Sequence, residues 1–422
     1  MIMIINFNGA KNSALPILAC CLLSKGKYKI LNVPKIKDIY NLLDLIKQFN
    51  VNITWNKKEL TINIEELSIP KKMDYVENFR ASYYLIGSTC NMITNNFIYE
   101  VSKGCEIGER PINYHIDFIE KMGYRVVIKK TQVSIYYNKN VEECEEIYFK
   151  IKKKSVGCTI NGIILSVKSN KIVYLEEYSK EPYIYDTINF LIKMGANIEI
   201  TEKYIKIIGK KMLNSCNYEI MYDPIETGTY IILAAILNYK KLYHNLIIGP
   251  IIKSNLGKFN IFLKEVGFIL VPNKYKENYY TISFNHNITN TIKNLKIETG
   301  YYPDIYTDLQ PLIVLLLSEL EICSNLKENV WEDRYKYIKG LNRMGHLITE
   351  ENGILYIKKK KEYIKINKLN CYDLRADAAL LMASLFAGSY HGHIIDFKFI
   401  NRGYFNLNTN IKNIYNMINK ND

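Results

Sequence analysis

A helix-to-strand phrase recurs six times along this chain. It reads Ile46-Lys47-Gln48-Phe49-Asn50-Val51, Glu120-Lys121-Met122-Gly123-Tyr124, Ile192-Lys193-Met194-Gly195-Ala196, Lys264-Glu265-Val266-Gly267-Phe268, Asn342-Arg343-Met344-Gly345-His346 and Tyr415-Asn416-Met417-Ile418-Asn419. The punctuating residues are Asn50, Gly123, Gly195, Gly267, Gly345 and Asn419, spaced by 73, 72, 72, 78 and 74 residues. A fixed period of this kind dictates architecture before any single residue does. Glycine at four of the positions suits a helix end that needs positive φ, and asparagine is the next-best residue for that conformation.

An amphipathic helix precedes each punctuation mark. In Tyr185 to Met194 the apolar Ile188, Leu191 and Ile192 sit three and four apart and are expected to share one face. A short alternating strand follows, such as Asn197 to Ile200. A second strand is read at Leu60 to Ile62, Val133 to Ile135, Tyr204 to Ile207 and Ile354 to Ile357. The units also contain a more uniformly apolar helix, as in Ala14 to Leu23, Ala81 to Met92, Gly228 to Leu237, Leu309 to Leu320 and Ala376 to Ala387. Near-uniform apolarity implies burial, and one-sided polarity implies surface. Each unit is therefore predicted to place one helix inside and one outside against a small sheet. A unit of about 72 residues is small for a lone domain, so three units per domain and two α/β domains are expected.

The 422 residues are 48% hydrophobic, enough for large cores and unlike a disordered chain. No apolar run reaches the length of a membrane span. The start, Met1 to Asn6, reads as a strand rather than a signal peptide. Nine cysteines, several within apolar helices (Cys20, Cys21, Cys90), fit reduced thiols and a cytoplasmic setting. No Cys-x-x-Cys or Cys/His grouping suggests a structural zinc. The net charge of +14 raises nucleic acid as a partner, but the basic residues are spread out, and Lys358 to Lys361 is the one tight run. An anionic small substrate accounts for part of the charge.

Four features carry candidate chemistry. The stretch Lys103-Gly104-Cys105-Glu106-Ile107-Gly108-Glu109-Arg110-Pro111 is a loop between a strand and a helix. Its lysine and arginine favour a thiolate at Cys105 and its glutamates oppose one, so a reactive thiol and an incidental surface cysteine both remain open. Gly9-Ala10-Lys11-Asn12-Ser13 opens the first apolar helix. Asn12 or Ser13 is expected to cap it, with Lys11 and the free N–H groups offering an anion site or simply a solvated start. Arginine is scarce beside lysine. Arg80, Arg110, Arg334, Arg343, Arg375 and Arg402 fall near repeat junctions or helix starts, where they can grip phosphate or carboxylate or form ion pairs. Asp308 stands at a helix start, as an N-cap or as a carboxylate able to take a proton.

In order and combination these pieces resemble the enolpyruvyl transferases over essentially the whole chain. The matching residues are Gly9-Ala10-Lys11-Asn12, Arg80-Ala81-Ser82, Gly104-Cys105, Ile107-Gly108, Arg110-Pro111, Ser155-Val156-Gly157, Glu181-Pro182, Ile225 to Thr229, Thr299-Gly300, Thr307-Asp308-Leu309-Gln310, Arg343-Met344-Gly345, Asp373-Leu374-Arg375-Ala376 and Arg402-Gly403-Tyr404. The resemblance implies two inside-out α/β barrel-like domains, each of three βαβαββ repeats, with the active site between them. The first would span residues 12–220 and carry the loop 103–111; the second would take 1–11 and 221–422.

It is strongest to the branch that joins phosphoenolpyruvate to UDP-N-acetylglucosamine, the first committed step toward peptidoglycan. That branch implies a cytoplasmic enzyme without metal or organic cofactor, with no nucleic acid, membrane or obligate protein partner. By the same resemblance Cys105 is the loop acid, Lys11 touches both substrates and Asn12 contacts the sugar. Arg110 and Arg402 hold phosphate and carboxylate, and Arg80 lines the same region. Asp308 takes the sugar hydroxyl proton, and Asp373 and Arg375 serve closure and proton handling. Arg334 is a further substrate contact, and Lys153, Ser155 and Gly157 meet the uridine diphosphate. Pro224 and Asn401 stand where the family usually has arginine and aspartate. The branch acting on shikimate 3-phosphate shares the fold but lacks the loop cysteine. A non-catalytic paralogue is the third reading, which the intact set of Lys11, Cys105, Arg110, Asp308, Arg375 and Arg402 argues against.

Overall fold

The computed structural model describes residues 2–56, 58–74, 76, 79–93, 96–100, 112–129, 132–137, 145–286, 294–391 and 394–419. The chain divides into two compact units. Among the described residues, one comprises 9–100 and 112–221, and the other 2–8 and 222–419.

One local plan builds five of the six repeats. A first strand leads into a helix, the helix ends on the punctuating residue, and an antiparallel pair follows whose second strand returns between the other two. In the first unit this gives Gly26–Leu31, Glu59–Ile64 and Asn52–Asn56 side by side, then Asn96–Glu100, Gln132–Tyr137 and Tyr124–Lys129, then Ile172–Glu176, Tyr204–Ile208 and Asn197–Ile200. In the second unit it gives Leu246–Gly249, Tyr280–Phe284 and Phe268–Pro272, then Ser324–Glu328, Ile354–Lys358 and Leu347–Glu351. Four of these sheets gain a parallel strand: Asn217–Glu219, Glu146–Lys150, Met3–Asn6 and Leu295–Gly300. The sheets are open rather than closed on themselves.

The punctuation works by backbone conformation. Gly123, Gly195, Gly267 and Gly345 have φ of 99°, 99°, 89° and 101°, and Asn50 has 61°. This left-handed residue turns the chain out of the helix and into the strand. Asn419 departs from the expectation, with φ −79°. Among the described residues the sixth repeat contributes helices alone. In its connecting segment the Asp396 side chain accepts from Lys398 N at 3.0 Å, a local turn that competes with extension.

The inner helices are Lys11–Cys20, Tyr84–Cys90 and Val156–Ser166 in one unit, and Pro224–Tyr239, Gln310–Glu319 and Leu374–Phe386 in the other. Neighbouring inner helices within each unit pack on one another. Every residue of Gln310–Glu319 is buried, as the uniform apolarity predicts. Each fully buried leucine there contributes about 1.5–3 kcal/mol relative to exposure. The outer helices Lys37–Lys47, Asn113–Lys121, Pro182–Lys193, Phe259–Glu265, Ile338–Arg343 and Leu407–Ile418 bury one stripe each. Ile188 and Leu191 lie in that stripe, but Ile192 is 45% exposed, because it falls at the stripe's margin. Pro224 occupies the first turn of its helix, a position that tolerates a missing N–H. Among the described residues no helix is long and apolar enough to cross a membrane.

Candidate active site

In the unit of residues 2–8 and 222–419, helix starts gather the charged side chains. Asp308 lies in the single turn Thr307–Leu309 ahead of helix Gln310–Glu319. It is not that helix's N-cap, as one reading of the sequence had it. The capping position is Leu309, and no side chain caps it. The carboxylate is engaged by two guanidinium groups instead. Arg334 Nη2 donates to Oδ1 at 2.9 Å, and Arg375 Nε donates to Oδ2 at 3.2 Å. Both arginines are nearly fully buried, while the Asp308 side chain is 27% exposed. Ion pairing and a chemical role are therefore not alternatives here. The arginines balance its negative charge, and the side chain stays partly exposed.

Asp373 is the N-cap of helix Leu374–Phe386 and accepts from the N–H groups of Arg375 and Ala376 at 2.8 and 3.2 Å. That cap fixes the backbone from which Arg375 projects. Burial works against the Arg375 charge, but Tyr404, Asp308 and Asp223 outweigh it and hold the group firmly protonated. Its guanidinium carbon lies 5.0 Å from the Tyr404 ring centroid. Arg402 occupies the short turn Ile400–Arg402 and is half-buried.

The same unit contains a carboxyl that lies in one of the matching motifs but was given no role of its own. Glu226 is buried in helix Pro224–Tyr239 and accepts from Asn8 N at 2.7 Å and Asn8 Nδ2 at 3.1 Å. Burial raises its pKa to about 7. A lone acid in an otherwise apolar helix was the available signal.

In the unit of residues 9–100 and 112–221, helix Lys11–Cys20 starts at Lys11 itself. Ala10 is the N-cap, with no side-chain cap, so neither Asn12 nor Ser13 fills the expected role. Ser13 is buried in the first turn and its hydroxyl donates to Asp186. Lys11 Nζ lies 3.2 Å from Asp38, a buried carboxylate in the first turn of helix Lys37–Lys47. Arg80 stacks on Tyr83, its guanidinium carbon 5.0 Å from the ring centroid. Burial lowers its pKa, and no carboxylate among the described residues forms an ion pair with it. A mostly buried cation of this kind fits an anionic ligand as counter-ion.

Lys153 is exposed and left-handed, φ 52°, just before Ser155, which caps helix Val156–Ser166 by accepting from Cys158 N at 3.3 Å. Gly157 follows in the first turn. A side chain there would meet His115, whose ring bonds Asn161 at 2.9 Å. Burial, and then Arg80, push the His115 pKa down to about 3. Cys105 and Arg110 lie outside the described residues.

Apart from Arg402, Cys105 and Arg110, the sequence-predicted residues fall into two groups. Asp308, Arg334, Arg375 and Asp373 meet in one network in one unit. Lys11, Asn12, Arg80, Lys153, Ser155 and Gly157 stand at helix starts of the other. Among the described residues no group of three or more His, Cys, Asp or Glu could hold a metal ion.

The family model for EPSP synthase (3-phosphoshikimate 1-carboxyvinyltransferase) matches residues 3–411. The chain belongs to the enolpyruvyl transferase family. It is 33% identical over 407 residues to UDP-N-acetylglucosamine 1-carboxyvinyltransferase 3 of Caldanaerobacter subterraneus subsp. tengcongensis, covering 95% of this chain and 92% of that protein. It is 32% identical to the UDP-N-acetylglucosamine 1-carboxyvinyltransferase of Pelagibacter ubique, covering 97% and 94%. The fold is similar to that of the enolpyruvyl transferase NikO from Streptomyces tendae, with TM-score 0.81, 16% identity and coverage of 98% and 94%. An EPSP synthase from Acinetobacter baumannii matches with TM-score 0.65, 15% identity and coverage of 99% and 95%. The family membership and the two-unit α/β fold expected from the repeat are thereby established. So is the reaction class: this enolpyruvyl transferase draws its transferred group from phosphoenolpyruvate.

Proposed function

We propose that the acceptor is UDP-N-acetylglucosamine and that the enzyme joins the enolpyruvyl group to its 3-hydroxyl, releasing phosphate. The observation that carries this reading is the similarity, across more than nine-tenths of both chains, to relatives that bear that activity in their names. Cys105 in its Gly104-Cys105-Glu106-Ile107-Gly108 setting supports the same branch over one acting on shikimate 3-phosphate.

In the proposed mechanism, the sugar 3-hydroxyl oxygen bonds to C2 of phosphoenolpyruvate. Asp308 accepts the hydroxyl proton, and Cys105 donates one to C3. The product is a tetrahedral phospholactoyl ketal. Loss of phosphate from C2 and of a proton from C3 then regenerates the double bond as an enolpyruvyl ether. Two guanidinium groups keep Asp308 an acceptor rather than a donor. Lys11, Arg80, Arg110 and Arg402 hold the phosphate and carboxylate through both steps, and fixed cations do this with little reorganisation. Asp373 positions Arg375 through its cap. Arg334 and Asn12 serve the sugar side, and Lys153, Ser155 and Gly157 the uridine diphosphate, whose phosphates suit a helix start.

Phosphate release decides the acceptor. It is expected with phosphoenolpyruvate and UDP-N-acetylglucosamine together and not with shikimate 3-phosphate. Release with shikimate 3-phosphate alone would transfer the enzyme to the other branch.

A further inference from the structure

We propose that Thr307 and Glu328 form a positioning pair that aims Arg334 at Asp308, an inference that rests on reading Asp308 as the proton acceptor. The argument is one of donors and acceptors. A guanidinium only donates, a carboxylate accepts, and a hydroxyl does each once its proton is placed. Arg334 Nη1 lies 3.0 Å from the Thr307 hydroxyl oxygen and 2.6 Å from the Thr307 carbonyl oxygen. The hydroxyl must therefore accept from Arg334, and its own proton must point elsewhere. It points to Glu328 Oε1, 2.8 Å away.

Glu328 is itself fixed on every side. Oε1 also accepts from Val330 N at 2.9 Å and Trp331 N at 3.2 Å, and Oε2 accepts from the Thr299 hydroxyl at 2.7 Å. The sheet ladder sets this meeting. Thr299 and Glu328 are direct partners on parallel strands, and Thr307 directly follows strand Ile305–Tyr306, which pairs with the Thr299 strand on its other side. The chain of bonds then runs from Glu328 through the Thr307 hydroxyl and Arg334 Nη1 to Arg334 Nη2 and Asp308 Oδ1. Arg334 is 4% exposed and Glu328 8% exposed, so water does not readily replace either contact. Thr307 and Glu328 act through Arg334, by keeping a cation that engages Asp308 in a single orientation.

The test compares Thr307→Val, Thr307→Ser and Glu328→Gln in the full-length enzyme. Its primary readout is the Asp308 carboxyl titration, followed by NMR on protein labelled with carboxyl-13C aspartate, the signal assigned by its absence in Asp308→Asn. This readout needs no turnover. Thr307→Val is expected to raise the Asp308 midpoint by about one unit, because one of its cations loses its aim. Glu328→Gln keeps an acceptor for the Thr307 hydroxyl while removing a nearby negative charge, so its midpoint is expected not to rise. Thr307→Ser keeps the hydroxyl and is expected to titrate as wild type. In turnover with UDP-N-acetylglucosamine, kcat of Thr307→Val is expected to fall about 10- to 100-fold, its acid limb to move up with Asp308, and KM for phosphoenolpyruvate to stay within about twofold.

An Asp308 midpoint unmoved in a folded Thr307→Val overturns the pair, as does a Thr307→Ser shift equal to that of Thr307→Val. If Glu328→Gln fails to fold, Thr307→Val decides alone, since it leaves the other three donors on Glu328 in place. Absence of turnover in the wild type counts against the proposed acceptor, and the titration still judges the pair.

Discussion

The Arg375 guanidinium lies over the Tyr404 ring, 5.0 Å from its centroid, while its Nε donates to Asp308 at 3.2 Å. The cation is thus packed on one side by an aromatic face and directed on the other at the candidate base. Arg375→Met keeps most of the buried volume and removes both interactions. It is expected to lower unfolding stability by about 2–4 kcal/mol, since Tyr404 and Asp308 each lose a buried cation. Turnover is expected to fall at least as far as in Thr307→Val. Urea unfolding together with steady-state kinetics checks this. Unchanged stability and rate would show that the stack and the ion pair contribute nothing.

Asp377 gives a pH signature of known sign. It is fully buried, and its Oδ1 accepts from Tyr372 N at 2.8 Å. Burial raises its pKa to about 7. The folded state therefore binds a proton that the unfolded chain, with the ordinary carboxyl value near 3.8, has already released. Its contribution to stability is complete below pH of about 4 and is lost as pH rises through about 7. Asp377→Asn keeps the Tyr372 contact and cannot ionise. It is expected to be more stable than wild type above pH 7, by up to about 4 kcal/mol, and near wild type at pH 4. Melting temperature against pH for both proteins measures it.

His346 runs the opposite way. It is buried, its Nδ1 lies 2.7 Å from the Ser318 hydroxyl, and Nε2 is 3.7 Å from Glu319. Burial lowers its pKa to about 4; Glu319 opposes this, and Lys360 and Lys240 add to it. The unfolded chain takes up the proton first, near the ordinary value of 6.5. The stability of neutral His346 is then complete above about pH 6.5 and is lost as pH falls toward 4, by about 3 kcal/mol at most. His346→Gln is expected to flatten the acid side of the melting profile. A variant with the wild-type acid slope would place the effect elsewhere.

Gly9 has a purely steric role. A Cβ built there would stand 1.8 Å from the carbonyl oxygen of Asn32. That neighbour is backbone and cannot swing aside. Gly9→Ala is expected to cost about 1–3 kcal/mol and to displace the segment leading into Lys11. A substitution tolerated at full stability, measured by thermal unfolding, would mean that the Asn32 segment yields.

Cys105 is the chemical test of the proposed mechanism. Cys105→Ser is expected to lose most turnover while still binding UDP-N-acetylglucosamine, because a serine hydroxyl is a far weaker acid. Cys105→Asp is expected to retain activity, since a carboxyl donates a proton as well. A thiol-directed epoxide such as fosfomycin is expected to inactivate the wild type and spare the aspartate variant. Mass spectrometry of the peptide carrying Cys105 reads the adduct directly.

The helices and strands were legible because their causes are local. Gly123, Gly195, Gly267 and Gly345 announce left-handed helix ends, and all four are left-handed. The uniform apolarity of Leu309 to Leu320 announces an inner helix, and Gln310–Glu319 is wholly buried. The inner helix Val156–Ser166 is less legible because polar Thr159, Asn161 and Ser166 interrupt its apolar run. Each makes a bond inside the unit: Thr159 to Ser155 O, Asn161 to Tyr83 O and Ser166 to Gly162 O. The capping readings at Ser13 and Asp308 give way for a related reason. A helix start names which residues are able to cap, but a distant partner with a stronger claim takes the side chain away. Asp186 does so at Ser13, and two guanidinium groups do so at Asp308.

By itself the sequence determined the period, the left-handed helix ends at Asn50 and the four glycines, the buried and exposed helices and, through its motifs, the resemblance to the family. The first three are set by backbone preference and hydrophobic pattern within a few residues. Only the tertiary structure decided which charges meet. Arg334 and Arg375 stand 26 and 67 residues beyond Asp308, and Glu328 reaches Thr299 and Thr307 across a ladder of parallel strands. No local preference brings such residues together. Their pairing follows from how sheet and inner helices pack, and the low-dielectric setting that makes those contacts strong exists only once the unit has folded.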